Sequence, residues 1–177
     1  MKKVLLSKNK ICSIICIVLL VAVMAAQFLP YWHGEFVEES IKEGQKISVT
    51  DTSISVAQYV WFPKDHANFG KWLGSTAAQT YGADAEMDIN DFVFVPAFQL
   101  LISFIGIVAL GIKFGKYQPS FFAGVSGVLG LVGFLTSPYL KLGSLWGLFV
   151  AINVLLIIMF VVTFVIGIIE KRKNRII

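Results

Sequence analysis

Ser126 stands in Gly124-Val125-Ser126-Gly127, the G-x-S-G pattern of a serine nucleophile. A serine hydroxyl attacks poorly unless a base takes its proton. The chain's histidines, His33 and His66, both lie in a polar stretch remote from Ser126 in sequence, so no catalytic group is expected. Asp84, Glu86, Asp88, Asn90 and Asp91 crowd oxygen ligands of the kind hard divalent cations take. As a calcium loop the run is defective: Ile89 replaces the turn glycine and Val95 stands where a bidentate glutamate belongs. Asp84, Glu86, Asp88 and Asp91 therefore read first as an acidic, solvated approach to the next helix and only second as a metal site. His33-Gly34-Glu35 has a zinc-site spacing without the Pro-Cys-x-x-Cys that would complete it. A site built from His33, His66, Asp65 and Glu35 requires folding to gather distant segments. Cys12 and Cys16, at i and i+4, match neither a redox pair nor a zinc pattern. They read as small buried apolar residues, with acylation the alternative. No cofactor is expected.

Polar side chains inside apolar runs are the next candidates. Gln99 and Asn153 each fall seven or eight residues inside the outer end of their segments, a depth of ~10–12 Å. Paired across two helices, they would spare two amides from facing lipid, at a worth of roughly 0.6–2 kcal/mol. Ser103, one turn from Gln99, extends that polar edge. Two small-xxx-small pairs, Ala123/Gly127 and Ser126/Gly130, permit the close backbone approach by which helices associate in lipid. Gly124, Gly127, Gly130 and Gly133, at steps of three, drift around the helix by about 60° per step. This helix is expected at the packed centre, with a dimer contact as the alternative.

The elements that must position these groups follow from composition. Of 177 residues, 56% are hydrophobic and 15% charged, against roughly 25% charged in soluble domains, and the mean hydropathy is +0.76. These values define an integral membrane protein. The net charge of +4 is segregated: residues 31–91 hold ten acids and four lysines, a balance of −6, and the remainder carries +10. Bases flanking apolar runs set membrane orientation, so nucleic acid is not the expected partner.

Spans are expected at 11–29, 92–112, 120–137 and 145–169, each long enough to approach or cross a core of ~30 Å. A basic start (1–10), a turn at 113–119 and a basic tail (170–177) carry ten bases on one face, against five on the other, which bears the turn at 138–144. Both termini are therefore expected in the cytoplasm and residues 30–91 outside. The first run outlasts a signal-peptide core of roughly 7–15 residues and reads as an uncleaved helix, with cleavage after Val23-Met24-Ala25 the alternative. Trp32, Trp61, Trp72 and Trp146 all fall in the outer stretch or at its boundary, as rings anchored at headgroup level do.

The outer stretch is too aromatic for a disordered tether. Ile47/Val49 and Ile54/Val56 predict strands at 46–50 and 53–61 in a hairpin turning at Asp51, with Pro63 closing the second strand. Phe69, Trp72, Leu73, Ala77 and Tyr81 predict a short helix opening at an Asp65 N-cap. The expected fold class is an all-α integral membrane protein. Its core is a four-transmembrane-helix antiparallel bundle with a small extracytoplasmic α+β loop domain, a β-hairpin plus short helix, between helices one and two.

Gly124–Gly127 resembles the nucleophile motif of rhomboid intramembrane proteases, but the intramembrane histidine base of that family is missing here. The layout as a whole is similar to the claudin-type tetraspan architecture. It departs from claudins in the tryptophan spacing and lacks their paired cysteines in the outer loop, so no claudin residue role transfers. No family is assigned. The expected function is a non-enzymatic binding or accessory protein presenting its acidic loop to a protein partner or a second copy. The alternative is a channel or transport component using the Gln99/Ser103/Asn153 edge. The expected setting is the lipid bilayer of a cell membrane; the short Lys-rich start and cysteine-poor exterior fit a bacterial inner membrane.

Overall fold

The computed structural model describes residues 8–42, 45–62, 64–82, 89–114, 116 and 118–173. It is mostly helical, with a single two-stranded sheet among the described residues. Helix α1 (Lys8–Ala26) turns Cys12, Cys16, Leu20 and Val23 inward at helical steps and leaves Ile11, Ile15 and Val18 outside. It ends three residues before the apolar run does, because Gln27, Phe28 and Leu29 turn back by bonding to the carbonyls of Met24, Ala25 and Ala26.

Strand β1 (Pro30–Lys42) pairs antiparallel with β2 (Gln45–Ser55), in register from Lys42↔Gln45 to Pro30↔Ser55 with irregularities between Pro30 and Trp32 and between His33 and Phe36. The expected hairpin is thus displaced. Asp51 lies within β2 opposite Phe36, and Ile47, Val49 and Ile54 belong to one strand. The second expected strand stops at Ser55 because a capping box starts a helix there. Ser55 Oγ accepts from Gln58 N at 3.1 Å, and Gln58 Oε1 accepts from Ser55 N at 2.8 Å. Two otherwise orphaned amides are thereby satisfied, and α2 (Val56–Trp61) follows.

Helix α3 (Ala67–Tyr81) buries Phe69, Leu73 and Ala77, one face at steps of four. His66, not Asp65, occupies its N-cap, without a side-chain bond. The long apolar helix α4 (Ile89–Ile112) contains Pro96. Helix α5 (Ser120–Thr136) is followed by the single turn α6 (Pro138–Lys141), a helix within the expected turn at 138–144. Helix α7 (Trp146–Lys173) runs a turn past its expected end; Lys171, Arg172 and Lys173 lie where cations favour a helix C-terminus.

Among the described residues three helices, Lys8–Ala26, Phe94–Ile112 and Trp146–Lys173, are long and apolar enough to cross a membrane. The apolar α5 has 17 residues, a length of ~26 Å. It packs against α4 and α7, and α1 packs against the same two helices. The polarity of this assembly is inverted relative to a soluble protein. Gln99, Ser103, Ser126, Asn153 and Thr163 are fully buried, while Phe104, Val132, Val154 and Ile158 are exposed. In water such an outside would be a large apolar patch; in hydrocarbon it is the solvent-matched face.

Candidate functional site

Polar side chains of four segments converge inside the helix assembly. Gln99 Nε2, from α4, donates to Asn153 Oδ1 of α7 at 2.6 Å and to the Ser126 carbonyl of α5 at 3.2 Å. One turn further along α4, Ser103 Oγ and Ser126 Oγ lie 2.8 Å apart. Asn153 Nδ2 donates to the Phe149 carbonyl at 2.8 Å. Gln27, just past α1, reaches the same group: its Nε2 lies 3.4 Å from both Gln99 Oε1 and the Pro96 carbonyl. The Gln27 Oε1 has no partner among the described residues.

Glycines make this convergence possible. A Cβ on Gly130 would collide with Gln99 Nε2 and Asn153 Oδ1, and one on Gly127 would sit 2.8 Å from the Asn153 carbonyl. A Cβ on Gly124 would meet the Phe160 ring at 2.7 Å, and one on Gly133 would strike Val95. The drift of the four glycines is thereby put to use: Gly124 and Gly127 admit α7, Gly130 admits both neighbours, and Gly133 admits α4. Ala123 and Ser126 are fully buried on the same helix.

The second assembly joins the sheet unit to the ends of α5 and α7. Tyr31 donates its hydroxyl to the Leu140 carbonyl. Trp32 Nε1 donates to the Tyr139 carbonyl at 3.2 Å, and Ser144 returns two bonds to the Tyr31 carbonyl, from N at 2.8 Å and from Oγ at 2.9 Å. The Tyr31 ring meets Trp32 edge-on at 4.7 Å and Phe149 at 5.3 Å. Gly143 is required beneath that ring, since a Cβ there would lie inside it. Burial pushes the phenols of Tyr31 and Tyr59 above their ordinary range, because ionising either would strand a charge among aromatic neighbours.

These positions correct part of the expectation for the tryptophans. Trp32 is 1% exposed and forms the centre of the sheet unit's core, so it does not anchor at headgroup level. Its indole is taken up by Tyr139, Tyr59 and Phe69. Trp61 is 58% exposed, and Trp72 and Trp146 are partly exposed, Trp146 Nε1 donating to the Phe134 carbonyl at 3.0 Å.

Asp84, Glu86 and Asp88 lie outside the described residues, as does the side chain of Asp91. His66 Nδ1 faces Asp51 Oδ2 at 3.5 Å, while His33 and Glu35 are exposed on β1. No group of three or more His, Cys, Asp or Glu able to hold a metal occurs among the described residues. Cys12 and Cys16 are buried free thiols.

Gln27 and Gly143 are candidate functional positions that the sequence reading did not single out. Gln27 carried a signal, as a lone amide near the end of an apolar run. The Tyr31–Gly143 contact joins residues more than a hundred positions apart, and nothing local to either announces it. No protein-family model, curated protein or solved structure matches the chain.

Proposed function

We propose that this chain is a non-enzymatic membrane anchor that holds an acidic unit outside the bilayer for a protein partner or a second copy to bind. In this reading α1, α4, α5 and α7 all cross a cell membrane, as an antiparallel bundle with both termini in the cytoplasm. The contacts of Gln27 with Pro96 and Gln99, and of Gly133 with Val95, support opposed directions for α1 against α4 and for α4 against α5, and Asn9 with Glu170 supports α1 running against α7. The excess of bases beside the free ends supports the orientation, and the lysine-rich start fits a bacterial inner membrane. Residues 120–136 are short for a ~30 Å core, and α6 lengthens that passage on the outer side.

The observation that carries the function is the bolting of the sheet unit to the helix ends through Tyr31, Trp32, Ser144 and Gly143. A tether needs no such joint; a surface that must be presented in a fixed attitude does, because preorganisation lowers the ordering cost of association. The buried polar seam is occupied with its own hydrogen bonds, which supports helix cohesion over a permeation path for Gln99, Ser103 and Asn153.

Photocrosslinkers placed at Val37 and Val49, exposed on β1 and β2, are expected to trap one discrete adduct in native membranes. The adduct should be lost on Glu38→Lys with Glu39→Lys. Absence of any adduct, together with a solute flux in proteoliposomes that collapses on Gln99→Leu, would replace this reading with the channel one.

A further inference from the structure

A cleft of about 280 Å³ opens where α4 gives way to α5, lined by Ala109, Ile112, Lys113, Gln118, Pro119 and Phe122. Its lining is divided. Ala109, Ile112 and Phe122 belong to the last turn of one apolar helix and the first turn of the next, and Ile112 is 77% exposed. Lys113 and Gln118 come from the connection beyond the helices, and both are exposed. The cleft is almost wholly apolar, with Lys113 and Gln118 the polar residues in its lining. A ligand that fits has an apolar chain and a head that accepts hydrogen bonds.

Charge narrows the head to an anion. Leu20 of α1 and Phe122 of α5 both reach Gly106 of α4, and Asn9 of α1 bonds Glu170 of α7. Lys8, Lys10, Lys171, Arg172 and Lys173 are therefore gathered at the end of the assembly that holds Lys113 and Lys116. The only acid outside residues 31–91 is Glu170, and it is engaged by Asn9. An anionic head is drawn to this end, and a zwitterionic one gains much less.

We propose that this cleft is a binding site for one anionic phospholipid, with an acyl chain against Ile112, Pro119 and Phe122 and the phosphate at the Lys113 amine. The site rests on the reading of α4 and α5 as membrane-spanning, and not on the binding role assigned to the outer unit. It holds a lipid at a defined place, beyond the diffuse attraction of a basic end.

The test uses the full-length protein in detergent, titrated with dioleoyl phosphatidylglycerol or dioleoyl phosphatidylcholine and read as retained lipid by native mass spectrometry. Phosphatidylglycerol should be retained in preference. Lys113→Gln should lower that retention about fivefold, the worth of one base near an anionic head. Lys113→Arg should restore it, and Lys171→Gln, at the same basic end but not in the cleft lining, should leave it within about twofold. Ile112→Ser, at an exposed wall position, should lower retention with the charge intact. Equal retention of the two lipids overturns the proposal. So does an equal loss in Lys171→Gln, which would mean diffuse attraction only, or displacement of the lipid by inorganic phosphate at equimolar level, which would mean an anion site without a chain. Failure of the membrane reading itself is separable, because the protein would then leave the membrane pellet on alkaline carbonate washing.

Discussion

Gly130 and Gly74 are both helical glycines, and their surroundings predict opposite consequences for the same substitution. At Gly130 a methyl group would fall between Gln99 and Asn153 and part their hydrogen bond. Overpacking and the lost bond together should cost on the order of 2–3 kcal/mol. At Gly74, in α3, nothing lies within 4 Å of the added Cβ, so Gly74→Ala should gain ~0.5–1 kcal/mol from helix propensity. Thermal melts of both variants in one detergent check the pair; equal shifts would mean that Gly130 has no role in close approach. The phenols add a pH dependence. In the unfolded chain Tyr31 and Tyr59 ionise near 10.0, whereas burial raises both in the folded chain. The folded state then keeps protons that the unfolded state has lost, so this contribution to stability is complete below about pH 10 and declines above it. Melting temperatures recorded between about pH 8 and pH 11 should be level at first and fall only at the alkaline end.

Among the elements, α2 shows most plainly how a local signal was readable and a non-local one was not. Ser55-Val56-Ala57-Gln58 is a capping-box sequence, and its two reciprocal bonds start a helix where alternation alone continued a strand. Ser55→Ala should cost ~0.5–2 kcal/mol and should show first as faster amide exchange at Tyr59 and Val60, with the seam amides of α4 unaffected. A uniform loss of protection across the chain would argue against a local cap. Strand β1 had no comparable sign. Glu35, Glu38 and Glu39 dilute its β propensity, and the irregularity between His33 and Phe36 breaks the period-two pattern by which strands are read. Its identity comes from pairing with β2.

For the molecule as a whole, the proposed topology makes the two faces chemically distinguishable. Gln79→Cys on α3 and Lys173→Cys at the end of α7 both place a thiol at an exposed position. The native Cys12 and Cys16, at 8% and 0% exposure, are too buried to add a background. In intact cells a membrane-impermeant maleimide should label Gln79→Cys and spare Lys173→Cys until the membrane is opened. The reverse pattern would invert the orientation, and equal labelling of both before permeabilisation would dismiss the four-span reading.

Composition and hydrophobic period by themselves determined the membrane-compatible, apolar character of the chain, the approximate places of the long apolar helices, the acidic stretch between the first two and the glycine-rich character of α5. Those properties depend on transfer of side chains between water and hydrocarbon, which is additive along a chain. Even the meeting of Gln99 and Asn153 was legible, since two lone amides at matched depth have few other places to go. Tertiary structure decided the rest. It brought Gln27 into the seam, set Gly143 beneath the Tyr31 ring, and moved Trp32 from an expected lipid boundary into the centre of a core. These outcomes depend on which surfaces meet between segments far apart in the chain, from 69 residues for Gln27 and Pro96 to more than a hundred for Tyr31 and Leu140, and shape complementarity at that range leaves no periodic trace in the sequence.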